Sequence, residues 1–322
     1  MKNRLNILII LVFIFSSCSD FSGNEDAVEA SLKPGPVTRT TTPSTPTRTY
    51  YDLTGVAYGN NTFVAVGQSG TVRISSDNGA TWDNNSTSGT TKWLAEIAYG
   101  NSTFVAVGQS GTHLYSSDDG ATWSVGTWTP TVDITGVAFG NNTFLGVSST
   151  YLTKSTDNGA NWDLECSGLR IYDIAFGGNS KFVGSGGSGA IGITDNGSSC
   201  GLGDSDTTTH YLYGTTSGNN KFLSVGSSGK LILFDNNGSN VSNLTSPVTK
   251  TLYSAAYGNN IFVAVGSKTV VVTNNVGGSA TETENTYSFN DVTFGNGIFV
   301  AVGNDEIIYT SSDGDAWTKV YP

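Results

Sequence analysis

The chain repeats itself about every 40 residues, and this repeat restricts its possible folds more than any other feature. The segment LAEIAYGNSTFVAVGQSGTHLYSSDDGATW, from Leu94 to Trp123, recurs with changes through most of the sequence. Seven equivalent units begin at Leu53, Leu94, Ile134, Ile171, Leu212, Leu252 and Phe289, with spacings of 41, 40, 37, 41, 40 and 37 residues. The even spacing leaves no room for a second core between units.

Each unit contains four short runs typical of strands. In the second unit they are LAEIAYG, TFVAVG, THLYSS and ATWSVG, rich in aromatic and β-branched residues and separated by Gly, Asn, Ser and Asp. Four strands in a period near 40 residues predict a β-propeller, whose blades bury their faces against their neighbours. We therefore expect an all-β fold, a single seven-bladed propeller with four antiparallel strands per blade. The 41 glycines are consistent with its many tight turns.

The residues before the repeats predict a secreted, anchored protein. Residues 1–17 contain Lys2, Arg4 and then an apolar run too short to span a bilayer, the layout of a signal peptide. The small residues before Cys18 resemble the lipobox of bacterial lipoproteins, which implies lipidation at Cys18; the alternative is an ordinary secretory signal with an incidental cysteine. Residues 18–49 are rich in Pro, Thr and Ser and predict a disordered tether. The propeller then occupies residues 50–322.

Four units carry a related turn between their third and fourth strands. The first three copies, SSDNGATW, SSDDGATW and STDNGANW, fit S-x-D-x-G-x-x-W, and SSDGDAW in the last unit is one residue shorter. The motif resembles the Asp-box, or BNR repeat, of sialidases, sortilin-type receptors and the photosystem II assembly factor family. The repeat as a whole, over Leu53–Pro322, is most similar to propellers resembling that assembly factor family.

These four turns read as structural locks. Each aspartate can accept backbone N–H groups inside its turn, and each tryptophan can act as a packing anchor. The residues concerned are Asp77, Trp82, Asp118, Trp123, Asp157, Trp162, Asp313 and Trp317. The resemblance therefore specifies a fold and leaves the function open.

Acidic residues recur at one position, the third residue of each unit. Glu96, Asp173 and Asp291 occupy it in three of the units. Such acids could converge at the channel mouth as a cation site or as the acid/base pair of a glycoside hydrolase, a class in which Asp-box propellers also occur. The alternative is that each carboxylate simply binds backbone or solvent near its own blade.

Aromatic residues gather next to the same end of the predicted ring. They are Trp93, Trp128, Tyr172, Tyr211, Tyr213 and Tyr253, with His210 and Tyr287 nearby. Their faces can stack on sugar rings, anchor a protein partner, or only fill gaps between blades.

Other function classes are disfavoured by composition. The chain has 15 basic and 26 acidic side chains, so a nucleic-acid partner is not expected. The ring contains only Arg73 and Arg170 of the arginines that a sialidase needs for its substrate carboxylate. No metal or cofactor motif is present, and the turns between second and third strands are too short to build a lid.

We therefore expect a monomeric, non-catalytic binding or scaffold propeller that holds a protein or glycan. The N-terminal lipid would anchor it to a bacterial outer membrane, at the cell surface or the periplasmic face. Cys166 and Cys200 fall near the fourth strands of adjacent units and could form a disulfide in an oxidising compartment.

Overall fold

The computed structural model describes residues 49–83, 88–127, 131–177, 180–197, 209–237, 239–274, 280–284 and 286–322. These residues form seven antiparallel sheets arranged as the blades of a propeller. The described secondary structure consists of strands and three-residue 3₁₀ turns. Within these ranges, no helix combines the length and apolarity needed to cross a membrane.

The blades follow one another in chain order. Blade 1 contains β1 Leu53–Gly59, β2 Thr62–Gly67 and β3 Val72–Ser75, and blade 2 contains β4 Leu94–Gly100, β5 Thr103–Gly108, β6 Thr112–Ser116 and β7 Ser124–Val125. Blade 3 contains β8 Gly136–Gly140, β9 Thr143–Val147, β10 Tyr151–Ser155 and β11 Asp163–Ser167. Blade 4 contains β12 Ile171–Gly177, β13 Lys181–Gly186 and β14 Ile191–Thr194. Blades 1 and 4 show three strands within the described residues. Residues 84–87 and 198–208, which follow their third strands, lie outside the described ranges.

The last three blades are four-stranded. They are blade 5, β15 Leu212–Gly218, β16 Lys221–Gly226, β17 Leu231–Asp235 and β18 Ser242–Asn243; blade 6, β19 Leu252–Gly258, β20 Ile261–Gly266, β21 Thr269–Asn274 and β22 Thr281–Glu284; and blade 7, β23 Phe289–Gly295, β24 Ile298–Gly303, β25 Ile308–Ser311 and β26 Thr318–Tyr321. The predicted seven-bladed all-β fold is confirmed.

The core lies between neighbouring blades. The second strand of each blade carries a fully buried phenylalanine: Phe63, Phe104, Phe144, Phe182, Phe222, Phe262 and Phe299. The glycine that ends β1 shows how closely the blades approach, because a Cβ atom on Gly59 would lie 2.1 Å from the ring of Tyr99 in blade 2. The same contact joins Gly295 of blade 7 to Tyr58 of blade 1, also at 2.1 Å. Blade 7 thus packs on blade 1 through the contact that joins most other neighbouring blades, and the ring is closed.

The junction of blades 7 and 1 also contains a buried ion pair. Arg73 on β3 donates from Nη2 to Glu306 Oε2 at 2.9 Å, and the two side chains are 8% and 0% exposed. Glu306 Oε1 accepts the N–H of Tyr51 at 3.2 Å, and the Tyr321 hydroxyl lies 3.4 Å from Oε2. Residues from both ends of the propeller therefore meet on one carboxylate.

The S-x-D-x-G-x-x-W turns form the hydrogen bonds expected of structural locks. In blade 3, Asp157 Oδ1 accepts the N–H of Asn161 at 2.9 Å and the hydroxyl of Ser155. Trp162 Nε1 donates to the carbonyl of Gly159 at 2.9 Å, and its ring is buried. Asp77, Asp118 and Asp313 accept equivalent bonds in blades 1, 2 and 7. Trp82 and Trp317 repeat the indole bond, whereas the buried Trp123 Nε1 has no hydrogen-bond partner within the described ranges.

Cys166, on β11, is buried and disulfide-bonded. Cys200 lies outside the described residues, so the pairing of these two cysteines stays a prediction.

Candidate binding face

We call the upper face the end of the ring formed by the links into the first strands and by the turns between second and third strands. These two parts are hydrogen-bonded to each other. In blade 1, Gln68 N–H donates to the Asp52 carbonyl at 2.9 Å, and in blade 5 Ser227 N–H donates to the Tyr211 carbonyl at 2.9 Å. The turns are short, as in Gln68–Gly70 and Ser227–Gly229. The upper face is therefore shallow and rigid.

The residue type at the second position of the first strand differs between the blades on this face. In six blades the strand pairing is irregular between the first and third residues, which is the signature of a β-bulge. Around the ring the second position holds Thr54, Ala95, Thr135, Tyr172, Tyr213, Tyr253 and Asn290. Three consecutive blades, 4 to 6, thus carry tyrosine where the other four carry smaller side chains.

These tyrosines form a cluster together with Tyr211, and we call the four residues the tyrosine platform. The rings of Tyr172, Tyr211 and Tyr213 have centroids 6.1–6.3 Å apart in all three pairs, with interplanar angles of 13–26°. Three nearly parallel rings at nearly equal mutual distances cannot form a regular face-to-face column, so they are offset from one another. Tyr253 extends the cluster, 6.2 Å from Tyr213 and tilted by 57°.

The platform is partly open to solvent and has a cation at its edge. Tyr211 is 48% exposed, and the other three side chains are half-buried. Burial and the neighbouring Tyr211 raise the pKa of the Tyr172 phenol, which Arg170 lowers in part. The pKa of Tyr213 is raised by burial and by its three tyrosine neighbours. Both phenols therefore stay protonated at neutral pH and can donate hydrogen bonds.

The other predicted aromatic residues do not all belong to this cluster. Trp93, on the link into blade 2, is half-buried and donates from Nε1 to the Thr54 hydroxyl at 3.2 Å, so it braces blades 1 and 2. Tyr287 packs beside Tyr309 near blade 7. Trp128 lies outside the described residues, and His210 precedes Tyr211 and is half-buried.

The structure places the three predicted acids around one cavity at the centre of the ring. Glu96, Asp173 and Asp291 line a cavity of about 130 Å³, together with polar groups such as Ser254 and Thr215. Burial is the largest cause of the raised pKa of each acid, to about 7 for Asp173 and about 6 for Asp291. The pKa of Glu96 is raised well above its usual range by burial and by the charges of Asp291 and Asp173. The three carboxyl groups therefore influence one another electrostatically.

Each of these carboxyl groups accepts hydrogen bonds from backbone N–H groups. Asp173 accepts the N–H of Ile174 at 2.8 Å and that of Thr215, in the next blade, at 2.7 Å. Asp291 accepts the N–H of Val56 across the closing junction at 2.7 Å and the Ser254 hydroxyl at 2.5 Å. The acids thus cap N–H groups on the inner edges of the first strands, which no neighbouring strand pairs.

Glu96 accepts the N–H of Ile97, the next residue of its own strand, at 2.8 Å. Its close neighbour in blade 1 is a glycine: a Cβ atom on Gly55 would lie 2.9 Å from the Glu96 Cα atom. Around the ring the third position reads Gly, Glu, Gly, Asp, Gly, Ser, Asp. Glycine alternates with a larger residue until the odd number of blades makes two larger residues adjacent, and these are the hydrogen-bonded Ser254 and Asp291.

This geometry favours a structural role for the acids. A general acid or nucleophile needs a carboxyl group directed at a substrate, whereas these groups are directed at the backbone. Among the described residues, no group of three or more His, Cys, Asp or Glu side chains has the geometry of a metal site. The hydrolase alternative and the cation site are thus both less well supported than backbone capping.

Sequence reasoning missed two sets of residues. One is the Arg73–Glu306 pair, for which no sequence spacing gives a signal, since the two residues lie 233 positions apart. The other is a belt of asparagines on the opposite, lower face, where the turns of one blade reach the next. Asn60 binds Asp119, Asn101 binds Asn158, and Asn296 binds Asn78 across the closing junction. The Gly-Asn pair at the end of the first strand in six of the seven units was the available signal for this belt.

Comparisons with known proteins bear on the fold. No protein-family model matches the sequence, and no curated protein does. Among solved structures, the chain is similar to YCF48 from Cyanidioschyzon merolae, with a TM-score of 0.61 and 15% identity over 82% of this chain and 96% of that one. It is also similar to YCF48 bound to D1 peptide, with a TM-score of 0.65 and 17% identity over 81% and 93%. A third similar structure is the computationally designed Ika8 protein, with a TM-score of 0.57 and 11% identity over 81% and 96%. At these identities the likeness shows the propeller fold.

Proposed function

We propose that this protein is a non-catalytic binding or scaffold module that holds a protein partner on its upper face. The observation that carries the proposal is the tyrosine platform. Blades 1 to 3 and 7 pack with Thr, Ala or Asn at the second position, so ring packing does not require tyrosine there. Three consecutive tyrosines, joined by the exposed Tyr211, give a rigid amphipathic surface of the kind found in binding interfaces.

Two further observations support the proposal. One YCF48 structure of the same fold holds a peptide, which shows that a propeller of this shape is compatible with peptide binding. The repeat text also resembles the Asp-box propellers of the photosystem II assembly factor family. The shallow upper face, without an inserted loop among its described turns, suits a partner that lies across it.

The test compares partner capture by matched variants. Purified wild-type protein, the double variant Tyr211→Ala/Tyr213→Ala and the control Tyr287→Ala are used as bait with envelope extract of the source cells, and a captured protein is then purified and titrated. Tyr287 is 41% exposed, close to the 48% of Tyr211, but lies outside the platform. We expect the double variant to weaken binding at least about tenfold and the control to leave it unchanged. Equal binding by all three proteins would contradict the proposal.

A glycan is the second candidate partner, because flat aromatic rings also stack on sugars. A glycan array probed with the same three proteins separates the two candidates. Glycan binding that requires Tyr211 and Tyr213, without a protein partner, would favour this second function. Hydrolysis of an arrayed glycan that is lost in Asp173→Asn would instead revive the glycoside hydrolase alternative.

We also propose that the protein is a bacterial lipoprotein, anchored through Cys18 at the outer membrane, on the cell surface or the periplasmic face. The apolar run before Cys18 and the Pro- and Thr-rich residues 18–49 support this, since they provide an export signal and a tether. Mass spectrometry of the mature N-terminus should find a lipidated Cys18. A Cys18→Ala protein that remains membrane-bound and normally processed would contradict lipid anchoring.

A further inference from the structure

We propose that the tyrosine platform recognises an extended, proline-containing segment of a partner protein that carries an acidic residue beside its prolines. The inference rests on the proposed function and specifies the chemistry of its partner. It follows from the backbone pairing at the channel, from the shape and hydroxyl groups of the platform, and from the position of Arg170.

The inner strand edges next to the channel bear on how a peptide could bind. A peptide can add a strand to an exposed sheet edge, place a helix in an apolar groove, or lay a polyproline II helix against aromatic rings. The inner edges next to the channel bind carboxylates instead of a strand, through Val56, Ile174 and Thr215 among others. Strand addition there would have to displace Asp173 and Asp291.

The shape of the platform also bears on the binding mode. The rings of Tyr172, Tyr211 and Tyr213 are nearly parallel, lie 6.1–6.3 Å apart and belong to partly exposed side chains, so they form one aromatic surface that solvent reaches. Aromatic side chains that solvent reaches are the usual docking surface for proline rings. A polyproline II segment also loses little conformational entropy on binding, because it is already extended before it binds.

The hydroxyl groups of the platform bear on binding as well. A polyproline II backbone has no internal hydrogen bonds, so its carbonyl groups are available as acceptors. Tyr172 and Tyr213 are only half-buried, and a tyrosine phenol is protonated at neutral pH, so both can donate a hydrogen bond to such a carbonyl. This explains why the platform is built from tyrosine, whereas the buried core positions of the second strands hold phenylalanine.

A positively charged side chain, Arg170, lies beside the platform. Arg170 is exposed, and its guanidinium lowers the pKa of the Tyr172 phenol, so a positive charge lies at the edge of the platform. Tyr172 and Arg170 meet at one tight turn: a Cβ atom on Gly187 would lie 3.1 Å from the Tyr172 hydroxyl and 3.8 Å from the Arg170 Cβ atom. An acidic residue next to the prolines would pair with this arginine, and the pairing would weaken as salt increases.

The experiment measures fluorescence anisotropy of labelled, end-capped peptides with the full chain. The probes are PPEPPEPP, AAEAAEAA and PPQPPQPP. We expect PPEPPEPP to bind and AAEAAEAA to bind at least about tenfold more weakly, because alanine removes both the rings and the preformed helix. PPQPPQPP should bind a few-fold more weakly, and Arg170→Gln should abolish that difference between the Glu and Gln peptides.

Matched variants separate the outcomes. Tyr211→Ala/Tyr213→Ala should weaken PPEPPEPP at least about tenfold, and Tyr287→Ala should not. Equal affinity for the proline and alanine peptides, or no binding of either, overturns this inference. If partner capture still requires Tyr211 and Tyr213 in that case, the proposed function stands with a partner of other chemistry. Platform-dependent binding of a glycan without peptide binding also overturns the inference.

Discussion

The two sides of the upper face differ in what their side chains do. At the junction of blades 7 and 1, polar groups are paired and buried or half-buried: Arg73 with Glu306, Asp291 with the Val56 N–H, and Asn290 with the Leu53 carbonyl. On blades 4 to 6, the same level carries tyrosines that are partly exposed and contact chiefly one another. One side of the face closes the ring, and the other presents a surface.

The repeat thus carries, at one level of the ring, both residues that its packing requires and residues that its packing does not require. Contacts that recur in blade after blade, such as the asparagine belt, maintain the ring, and the closing junction adds a buried ion pair to them. The tyrosines recur in three blades only, and nothing in the packing of the other four requires them. We therefore expect substitutions on the two sides to affect different properties.

The largest effect is expected at the closing junction. Arg73→Ala leaves Glu306 buried at 0% exposure without its arginine, which should lower the free energy of unfolding by about 3–5 kcal/mol. Urea unfolding followed by tryptophan fluorescence measures this. Lys250→Ala, which removes a surface pair with Glu282, is the control and should cost less than about 1 kcal/mol. Similar losses in both variants would show that the junction is not special.

The next effect is a dependence of stability on pH. Asp173 and Asp291 have folded pKa values of about 7 and about 6, above their unfolded values near 3.8. Their contribution to stability is therefore fully present below about pH 4 and is lost as the pH rises through 6 to 7, with a slope of about 1.4 kcal/mol per pH unit for each proton. Unfolding midpoints at pH 5 and pH 8 should show the protein to be more stable at pH 5.

Glu96→Gln sharpens this prediction, since it removes one of the charges that the channel acids share and retains an acceptor for the Ile97 N–H. Its stability should change less between pH 5 and pH 8 than that of the wild type. The exposed Asp315→Asn is the control and should retain the wild-type dependence. The turn aspartates, such as Asp118, have lowered pKa values and act in the opposite direction, with stability lost as the pH falls below about 4. A stability that rises from pH 5 to pH 8 would contradict this account of the channel.

A smaller effect is expected from the asparagine belt. Asn60→Ala removes the bonds from Nδ2 to Asp119 at 2.9 and 3.0 Å, and should cost about 0.5–1.5 kcal/mol. Part of the cost arises because Asn60 has a φ of 45°, which alanine adopts less readily. Asn60→Gly separates the two causes, since glycine tolerates this φ. If Asn60→Gly is as stable as the wild type, the side-chain bonds contribute nothing.

The smallest stability effect is expected at the platform. Tyr211 is 48% exposed, so Tyr211→Ala should change the free energy of unfolding by no more than about 0.5 kcal/mol. Phe222→Ala, in the fully buried core of the same blade, should cost about 3–5 kcal/mol. A large loss in Tyr211→Ala would mean that the platform is part of the core and stabilises the ring as the closing junction does.

The fold was predictable because every repeat unit carries the same pattern of strands and turns. Strand alternation, turn glycines and the S-x-D-x-G-x-x-W segments recur in register, so seven units of 37 to 41 residues fix the blade number. The position of Glu96, Asp173 and Asp291 around one cavity followed from the same alignment, since equal positions in a ring lie at one level. Their backbone partners did not follow, because the capped N–H of Thr215 belongs to the blade after that of Asp173.

The platform was predictable only in part, for a physical reason. The tyrosines were visible as aromatic residues near one end, but the repeat pattern gives neither the angles between their rings nor which rings contact one another. Trp93 was predicted to lie with them, but its indole donates to the Thr54 hydroxyl in a different sector of the ring. A contact between distant units, such as Arg73 with Glu306, leaves no pattern in a single sequence.

The most direct test of the central claim measures binding and stability together in two variants. Tyr211→Ala/Tyr213→Ala and Arg73→Ala are each assayed for affinity to the captured partner and for urea unfolding, with binding measured where both remain folded. We expect the tyrosine variant to lose at least about tenfold in affinity with little change in the free energy of unfolding. We expect the arginine variant to lose about 3–5 kcal/mol of the free energy of unfolding with unchanged affinity. Affinity lost in the arginine variant and retained in the tyrosine variant would contradict it.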